Sequence, residues 1–175
     1  NETASDSADA AQTENAAEAQ ESKEVVKETI IVSSPITGIA ADLATAPDDA
    51  FAGRMMGDGA VVTPTAATIV APEFDTKHAI GFLTDSGLSM LLHIGIDTVN
   101  LEGKGFTCFV ENGQSVKKGD KMLEIDIEYL TANAPSLCSP ILCTELEDNQ
   151  KVRLLAEGEV KAGEPLFAVD VYEEA

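Results

Sequence analysis

Leu91-Leu92-His93-Ile94-Gly95-Ile96-Asp97-Thr98-Val99 is the stretch on which the reading of this chain turns. Taken with period two, Met90, Leu92, Ile94 and Ile96 fall on one face of a strand, and Leu91, His93, Gly95 and Asp97 on the other. The first face is suited to a core. The second carries an imidazole and a carboxylate, with a glycine between them that leaves room for close approach. The spacing predicts a strand over Met90–Ile96 that buries one side and presents chemistry on the other.

The other histidine lies just upstream, in Thr76-Lys77-His78-Ala79-Ile80-Gly81-Phe82-Leu83, and Thr84-Asp85-Ser86-Gly87 between the two runs has turn composition. A two-residue loop at Asp85-Ser86 makes antiparallel partners sum to 171, which sets His78 directly across from His93. Cβ atoms in such pairs lie about 4.5–5.5 Å apart. Moving the loop to Ser86-Gly87 raises the sum to 173 and makes the histidines diagonal neighbours. Thr76 shares the face of His78. A single histidine in an apolar run is usually a satisfied structural residue. Two, the only two in the chain, meeting beside Asp97 and Thr76, argue for a functional pair.

Outward from this hairpin the pattern is β-rich. Val25–Val32 is dense in β-branched residues, and apolar runs recur at Ala60–Thr63, Thr68–Val70, Ala79–Leu83, Gly105–Val110, Lys121–Ile127, Ile141–Thr144 and Pro165–Val171. Gly, Pro, Asn and Asp punctuate them, which suggests an antiparallel sandwich or barrel. Short helices are expected over Ile127–Ala134 and Leu146–Leu155. A repeat is visible: Gly113-Gln-Ser-Val116-Lys117-Lys-Gly119 before Met122-Leu123 resembles Gly158-Glu-Val160-Lys161-Ala-Gly163 before Leu166-Phe167. Ser34-Pro35-Ile36 recurs as Ser139-Pro140-Ile141. A duplicated β-hairpin unit accounts for both.

Composition narrows the function. The 175 residues carry 31 acidic and 11 basic side chains, a net charge of −20. That argues against nucleic acid as a partner, because phosphate backbones require Lys and Arg. It favours a basic protein partner. No apolar run approaches the 18 or so residues of a membrane span, so direct membrane insertion is not expected. Cys108, Cys138 and Cys143 lack metal-type spacing and read as free thiols of a reducing cytoplasm. Residues 1–24 hold seven acids, one lysine and no aromatic or β-branched aliphatic residue, which reads as an acidic tail or interdomain linker ahead of one domain over 25–175. The chain begins at Asn1 rather than Met, as a piece cut from a longer polypeptide would.

His93-Ile94-Gly95-Ile96-Asp97-Thr98-Val99, followed by Leu101-x-Gly103-x-Gly105-Phe106, resembles the signature of the glucose-type enzyme IIA domain of the bacterial phosphoenolpyruvate-dependent sugar phosphotransferase system. Thr76-Lys77-His78-Ala79 and Gly57-Asp58-Gly59 match two further motifs in the right order, and the resemblance covers about residues 28–172. It implies an antiparallel β-sandwich, or barrel-sandwich hybrid, of duplicated hairpin units. It also implies a cytoplasmic phosphotransferase component without a cofactor, free or attached to a membrane-bound permease. By resemblance, His93 is phosphorylated by the carrier HPr and passes the group to a cysteine of the IIB domain of an IIB/IIC sugar permease. His78 promotes transfer and Thr76 supports His78. Asp48, Phe51, Met55 and Met56 correspond to an acidic and apolar docking rim, and Asp97 is assigned to the interface because a second anion beside phosphate repels it. Arg54 stands where the family usually has lysine, and between Pro64 and His78 the chain is shorter than the family pattern by roughly one β-hairpin.

Two other classes compete. A lipoyl- or biotinyl-type carrier module shares such turns but needs a modifiable lysine flanked by Met or Asp at a hairpin tip, and Lys117 and Lys118 lack those flanks. A zinc-binding regulatory module would use His78 and His93, which leave the usual four-ligand set short unless a partner supplies a carboxylate.

Overall fold

Val, Ile and Thr crowd most of the runs marked above, and packed side chains hold them extended. The computed structural model describes residues 25–71, 81–83, 88–96, 98–111 and 115–173. In chain order come β1 (Val26–Ser33), β2 (Ile36–Asp42), a 3-10 turn (Leu43–Thr45), α1 (Asp49–Ala52), β3 (Asp58–Val70), β4 (Gly81–Leu83) and β5 (Ser89–Leu92). A second 3-10 turn (Thr98–Leu101), β6 (Phe106–Cys108), β7 (Lys121–Ile125) and α2 (Ile127–Asn133) follow. The described chain closes with β8 (Ser139–Cys143), β9 (Gln150–Leu154), β10 (Gly158–Val160) and β11 (Pro165–Tyr172). The acidic tail over 1–24 lies outside the described residues, and no described helix is long and apolar enough to cross a membrane.

The protein is an antiparallel β-sandwich. One sheet runs β1-β11-β9, the other β10-β2-β3-β8-β5-β4, with β7 on the far end of β3 and β6 on β7. Alternation along β3 and β8 makes the second sheet two-sided. Ala60, Val62, Ile141 and Cys143 face the first sheet, where Val32, Phe167 and Val169 complete the main core. Val61 and Leu142 face the opposite way, into a smaller cluster with Leu43, Ala46, Phe51, Ile96 and Cys138. Each large side chain buried this way contributes about 1.5–3 kcal/mol. The smaller cluster is the floor on which the site is built.

The duplicated unit is present in detail. At Lys117–Asp120 the Lys117 N–H donates to Asp120 Oδ2 at 2.9 Å, and the Asp120 N–H returns to the Lys117 carbonyl at 3.0 Å. At Lys161–Glu164 the same pair of bonds measures 2.7 and 2.9 Å. Each turn then docks on a neighbouring strand end: Gly119 N–H to Ala71 O at 3.0 Å, and Gly163 N–H to Ser34 O at 2.8 Å. Gly119 and Gly163 have φ of 87° and 94°, a left-handed conformation that explains the glycines in both copies. Val116 and Val160 are both buried. Gly113 and Gln114 lie outside the described residues.

Three expectations need correction. Leu146–Leu155 is not helical: Gln150–Leu154 is a strand on β11, because Val152 and Leu154 alternate with exposed Lys151 and Arg153. The strand expected over Met90–Ile96 ends at Leu92, since Gly95 takes φ +73° and breaks the period. Ile94 keeps to the main core, but Ile96 crosses to the smaller cluster. Lastly, β4 pairs with β5 through Gly81–Leu91, Phe82–Met90 and Leu83–Ser89, a register sum of 172 rather than 171 or 173. His78, and with it the expected meeting of the two histidines, lies outside the described residues. The helix expected over Ile127–Ala134 forms as Ile127–Asn133, capped by Asp126, whose carboxylate accepts the Tyr129 N–H at 3.0 Å.

Candidate active site

His93 follows directly on β5. Its backbone N–H donates to Pro140 O at 2.9 Å, which continues the pairing of β5 with β8 by one more bond. The side chain leaves on the face shared with the smaller cluster and is half-buried. There the Phe51 ring meets the imidazole, with centroids 5.4 Å apart and planes tilted by 51°. Phe51 is presented by α1, whose N-cap Asp48 accepts the Ala50 and Phe51 N–H groups at 2.9 and 3.3 Å.

The imidazole is also held by a hydrogen bond. His93 Nδ1 lies 2.6 Å from the Gly95 carbonyl oxygen. A carbonyl only accepts, so Nδ1 carries the hydrogen, and Nε2 keeps its lone pair in the neutral ring. Gly95 is itself pinned at both neighbouring peptides. Its N–H donates to Ser139 Oγ at 3.0 Å, and the next N–H, of Ile96, donates to Ser136 O at 2.9 Å. Glycine is required here. A Cβ would stand 2.6 Å from Thr98 Cγ2 and 3.0 Å from Ser136 O, at a φ that side chains rarely adopt. Thr98 closes the turn by donating from Oγ1 to Ile94 O at 2.7 Å.

The surroundings are apolar, then acidic. Beneath the strand end, Leu92, Ile94, Phe106, Val110, Met122 and Leu123 border a cavity of about 470 Å³ that also reaches His93. Past α1, Met55 and Met56 are exposed, Met55 to 79%. Arg54, at φ 59°, forks onto two carboxylates, with Nη2 3.1 Å from Asp42 and Nε 3.0 Å from Asp58. The Ala44 N–H, aided by Arg54, draws the Asp42 carboxyl below the usual carboxylate range. In Gly57-Asp58-Gly59 both glycines are steric necessities, since a Cβ at Gly57 would strike Cys143 O and one at Gly59 would strike Ile141 O.

The family model for the phosphoenolpyruvate-dependent sugar phosphotransferase system, EIIA 1, matches residues 30–149. This chain belongs to that family. Over 144 residues the EIIA domain is 44% identical to the PTS system N-acetylglucosamine-specific EIICBA component of Klebsiella pneumoniae, covering 78% of this chain and 22% of that protein. Over 142 residues it is 45% identical to the PTS system glucose-specific EIICBA component of Staphylococcus saprophyticus, covering 75% of this chain and 21% of that protein. The chain thus spans about a fifth of the length of these curated relatives. Glucose permease IIA from Mycoplasma capricolum shares the fold at a TM-score of 0.74 and 33% identity, over 81% of this chain and 96% of that one.

Of the residues singled out in the sequence, the EIIA structure brings His93 and Phe51 into contact and sets Asp48, Met55 and Met56 on the element that carries Phe51 and on the turn after it. Phe51 is buried beneath the imidazole rather than exposed on a rim. Thr76, His78 and Asp97 lie outside the described residues, and so does the His78 half of the zinc pair. Three groups around the site escaped the sequence reading: the Gly95 carbonyl, Ser136 and Ser139. The recurrence of Ser-Pro-Ile at Ser139 was the one available signal.

Proposed function

We propose that this EIIA domain carries a phosphoryl group on His93 Nε2, taken from phospho-HPr and delivered to a cysteine of the IIB domain of a sugar permease. The observation that carries this reading is the Nδ1–H bond to Gly95 O, which leaves Nε2 as the nucleophilic nitrogen. In the transfer the Nε2 lone pair forms the N–P bond as the N–P bond of the donor's phosphohistidine breaks, and the donor imidazole departs with that electron pair. The second step repeats this, with the IIB thiolate as attacking group. The Nδ1–H stays in place throughout and spares the ring a proton rearrangement.

His78 is the group we assign to stabilising the equatorial phosphoryl oxygens by an N–H donor, with Thr76 orienting it. Preorganised donors of this kind are worth about 10²–10³ in rate. Asp48, Met55, Met56 and Asp97 form the docking face: exposed methionines adapt to more than one partner surface, and acids steer a basic one. The relatives are EIICBA components, which supports IIB and IIC permease domains as the recipients, on the same polypeptide or another. N-acetylglucosamine-specific and glucose-specific relatives match this chain equally well, so the choice of sugar belongs to those other domains.

Intact mass after incubation with phosphoenolpyruvate, enzyme I and HPr tests this reading. Wild type is expected to gain one phosphoryl group and His93→Ala none. His78→Gln is expected to accept the group and pass it on poorly. An unmodified wild type, or a fully modified His93→Ala, overturns the assignment.

A further inference from the structure

We propose that Ser139 is a positioning residue for phosphoryl transfer, its hydroxyl setting the tautomer of His93 through Gly95. This rests on His93 as the acceptor. Ser139 is fully buried, on β8, and touches neither imidazole nitrogen. Its Oγ donates to Leu137 O at 2.8 Å, which aims an oxygen lone pair at the Gly95 N–H, accepted at 3.0 Å. The Gly95 carbonyl belongs to the next peptide, tied through Ile96 N–H to Ser136 O at 2.9 Å. The left-handed turn at Gly95 is therefore fastened on both sides of its Cα, and its carbonyl is aimed at Nδ1. Without the Ser139 bond one fastening is gone. Gly95, the residue least constrained in φ, can then rotate and let the carbonyl swing off Nδ1. The ring is then free to place its hydrogen on Nε2, where it blocks attack on phosphorus.

The duplicated tripeptide shows what is particular to Ser139. In the first copy, Ser34 Oγ closes on its own tripeptide, donating to Ile36 O at 2.6 Å and accepting the Ile36 N–H at 3.2 Å. In the second copy the equivalent hydroxyl has left that local ring and reaches 44 residues along the chain to Gly95. The adjacent Pro140 O takes the His93 N–H. Ser139-Pro140 thus spans the acceptor histidine and the glycine that orients it.

Imidazole ¹⁵N resonances of unphosphorylated protein read the tautomer without any phosphate, in wild type, in Ser139→Cys (close in size, a much weaker acceptor) and in Ser139→Thr (hydroxyl retained). Wild type and Ser139→Thr are expected to show a single Nδ1–H form, and Ser139→Cys a mixture. Phosphorylation of Ser139→Cys by phospho-HPr is expected to slow about tenfold, as for groups that orient functional histidines elsewhere, with Ser139→Thr near wild type. A pure Nδ1–H form in a folded Ser139→Cys, or a mixture in Ser139→Thr as large as in Ser139→Cys, overturns the proposal. Failure of His93 as acceptor is distinct: wild type itself would then gain no phosphoryl group.

Discussion

The rings of Phe51 and His93 lie 5.4 Å apart and tilted by 51°, so a core residue of the smaller cluster is also one wall of the imidazole's seat. A second constraint is the hydrogen bond to the Gly95 carbonyl. The proposed nucleophile thus has an apolar contact and a hydrogen bond to limit its rotation, which would lower the entropy cost of aligning it with phosphorus.

Phe51 should therefore couple stability to the proposed transfer. Phe51→Ala should lower unfolding free energy by about 3 kcal/mol, the cost of emptying a buried aromatic site. Phe51→Leu should cost about 1 kcal/mol while still slowing phosphorylation, because the flat wall is gone. Urea denaturation alongside single-turnover phosphorylation separates the two effects; equal rates for Phe51→Leu and wild type would remove the ring from the mechanism.

Gly95→Ala should damage both the fold and the seat of the imidazole. Left-handed strain on a non-glycine residue costs about 1–3 kcal/mol. The new Cβ would also meet Thr98 Cγ2 at 2.6 Å. A lowered thermal midpoint together with the loss of a pure Nδ1–H signal at His93 is the expected pair of results.

The three thiols should separate cleanly by reactivity. Cys108 is exposed, while Cys138 and Cys143 are buried. Burial, with Asp58 adding to it, pushes the Cys143 thiol up to about 12, and burial alone raises Cys138. A chromogenic disulfide at pH 8 should titrate one thiol in the native protein and three after denaturation. Rapid release of more than one from the folded protein contradicts the burial of Cys138 in the smaller cluster or of Cys143 in the main core.

Acid sensitivity should be written partly in Asp170. It is buried on β11 and accepts Arg153 Nε and Nη2 at 2.8 and 3.1 Å and Thr29 Oγ1 at 2.9 Å. The Arg153 bonds come first among the causes that draw its carboxyl below the usual range. A carboxyl whose native pKa lies below its unfolded value of about 3.9 lends stability that is complete above that value. That stability is lost as pH falls through the lower native pKa. Urea midpoints measured from pH 7 down to pH 2 should therefore fall less steeply below about pH 4 for Asp170→Asn than for wild type.

Met55 and Met56 should matter to partners and not to folding. Both are exposed, so alanine at either position should change stability by less than about 0.5 kcal/mol. Affinity for HPr, read by calorimetry, is expected to weaken about tenfold in the double variant, as when apolar interface anchors are truncated. Unchanged affinity would move the docking face elsewhere.

Local chemistry made much of this domain legible. The Val-Lys-x-Gly turns needed only glycines able to take φ near 90° and carboxylates that close back on lysine N–H groups, and both copies did so. Asp126 at the head of α2 was a readable cap. Leu146–Leu155 misled because a short apolar run has no decisive period, and pairing with β11 settled it as strand. The hairpin register depended on loop length, which turn composition leaves open by one residue.

By itself the sequence determined the sandwich and its duplicated hairpin unit, and singled out His93 as the candidate, because alternation, turn glycines and a rare histidine in an apolar run are local facts. Only the tertiary structure decided how that histidine is held. Phe51, Gly95, Ser136 and Ser139 converge on it from α1, from the left-handed turn after β5, and from the start of β8. Their separations in sequence reach 46 residues between His93 and Ser139. No periodicity encodes such a meeting: it follows from which strands pair, and pairing is set by how two sheets bury their shared core.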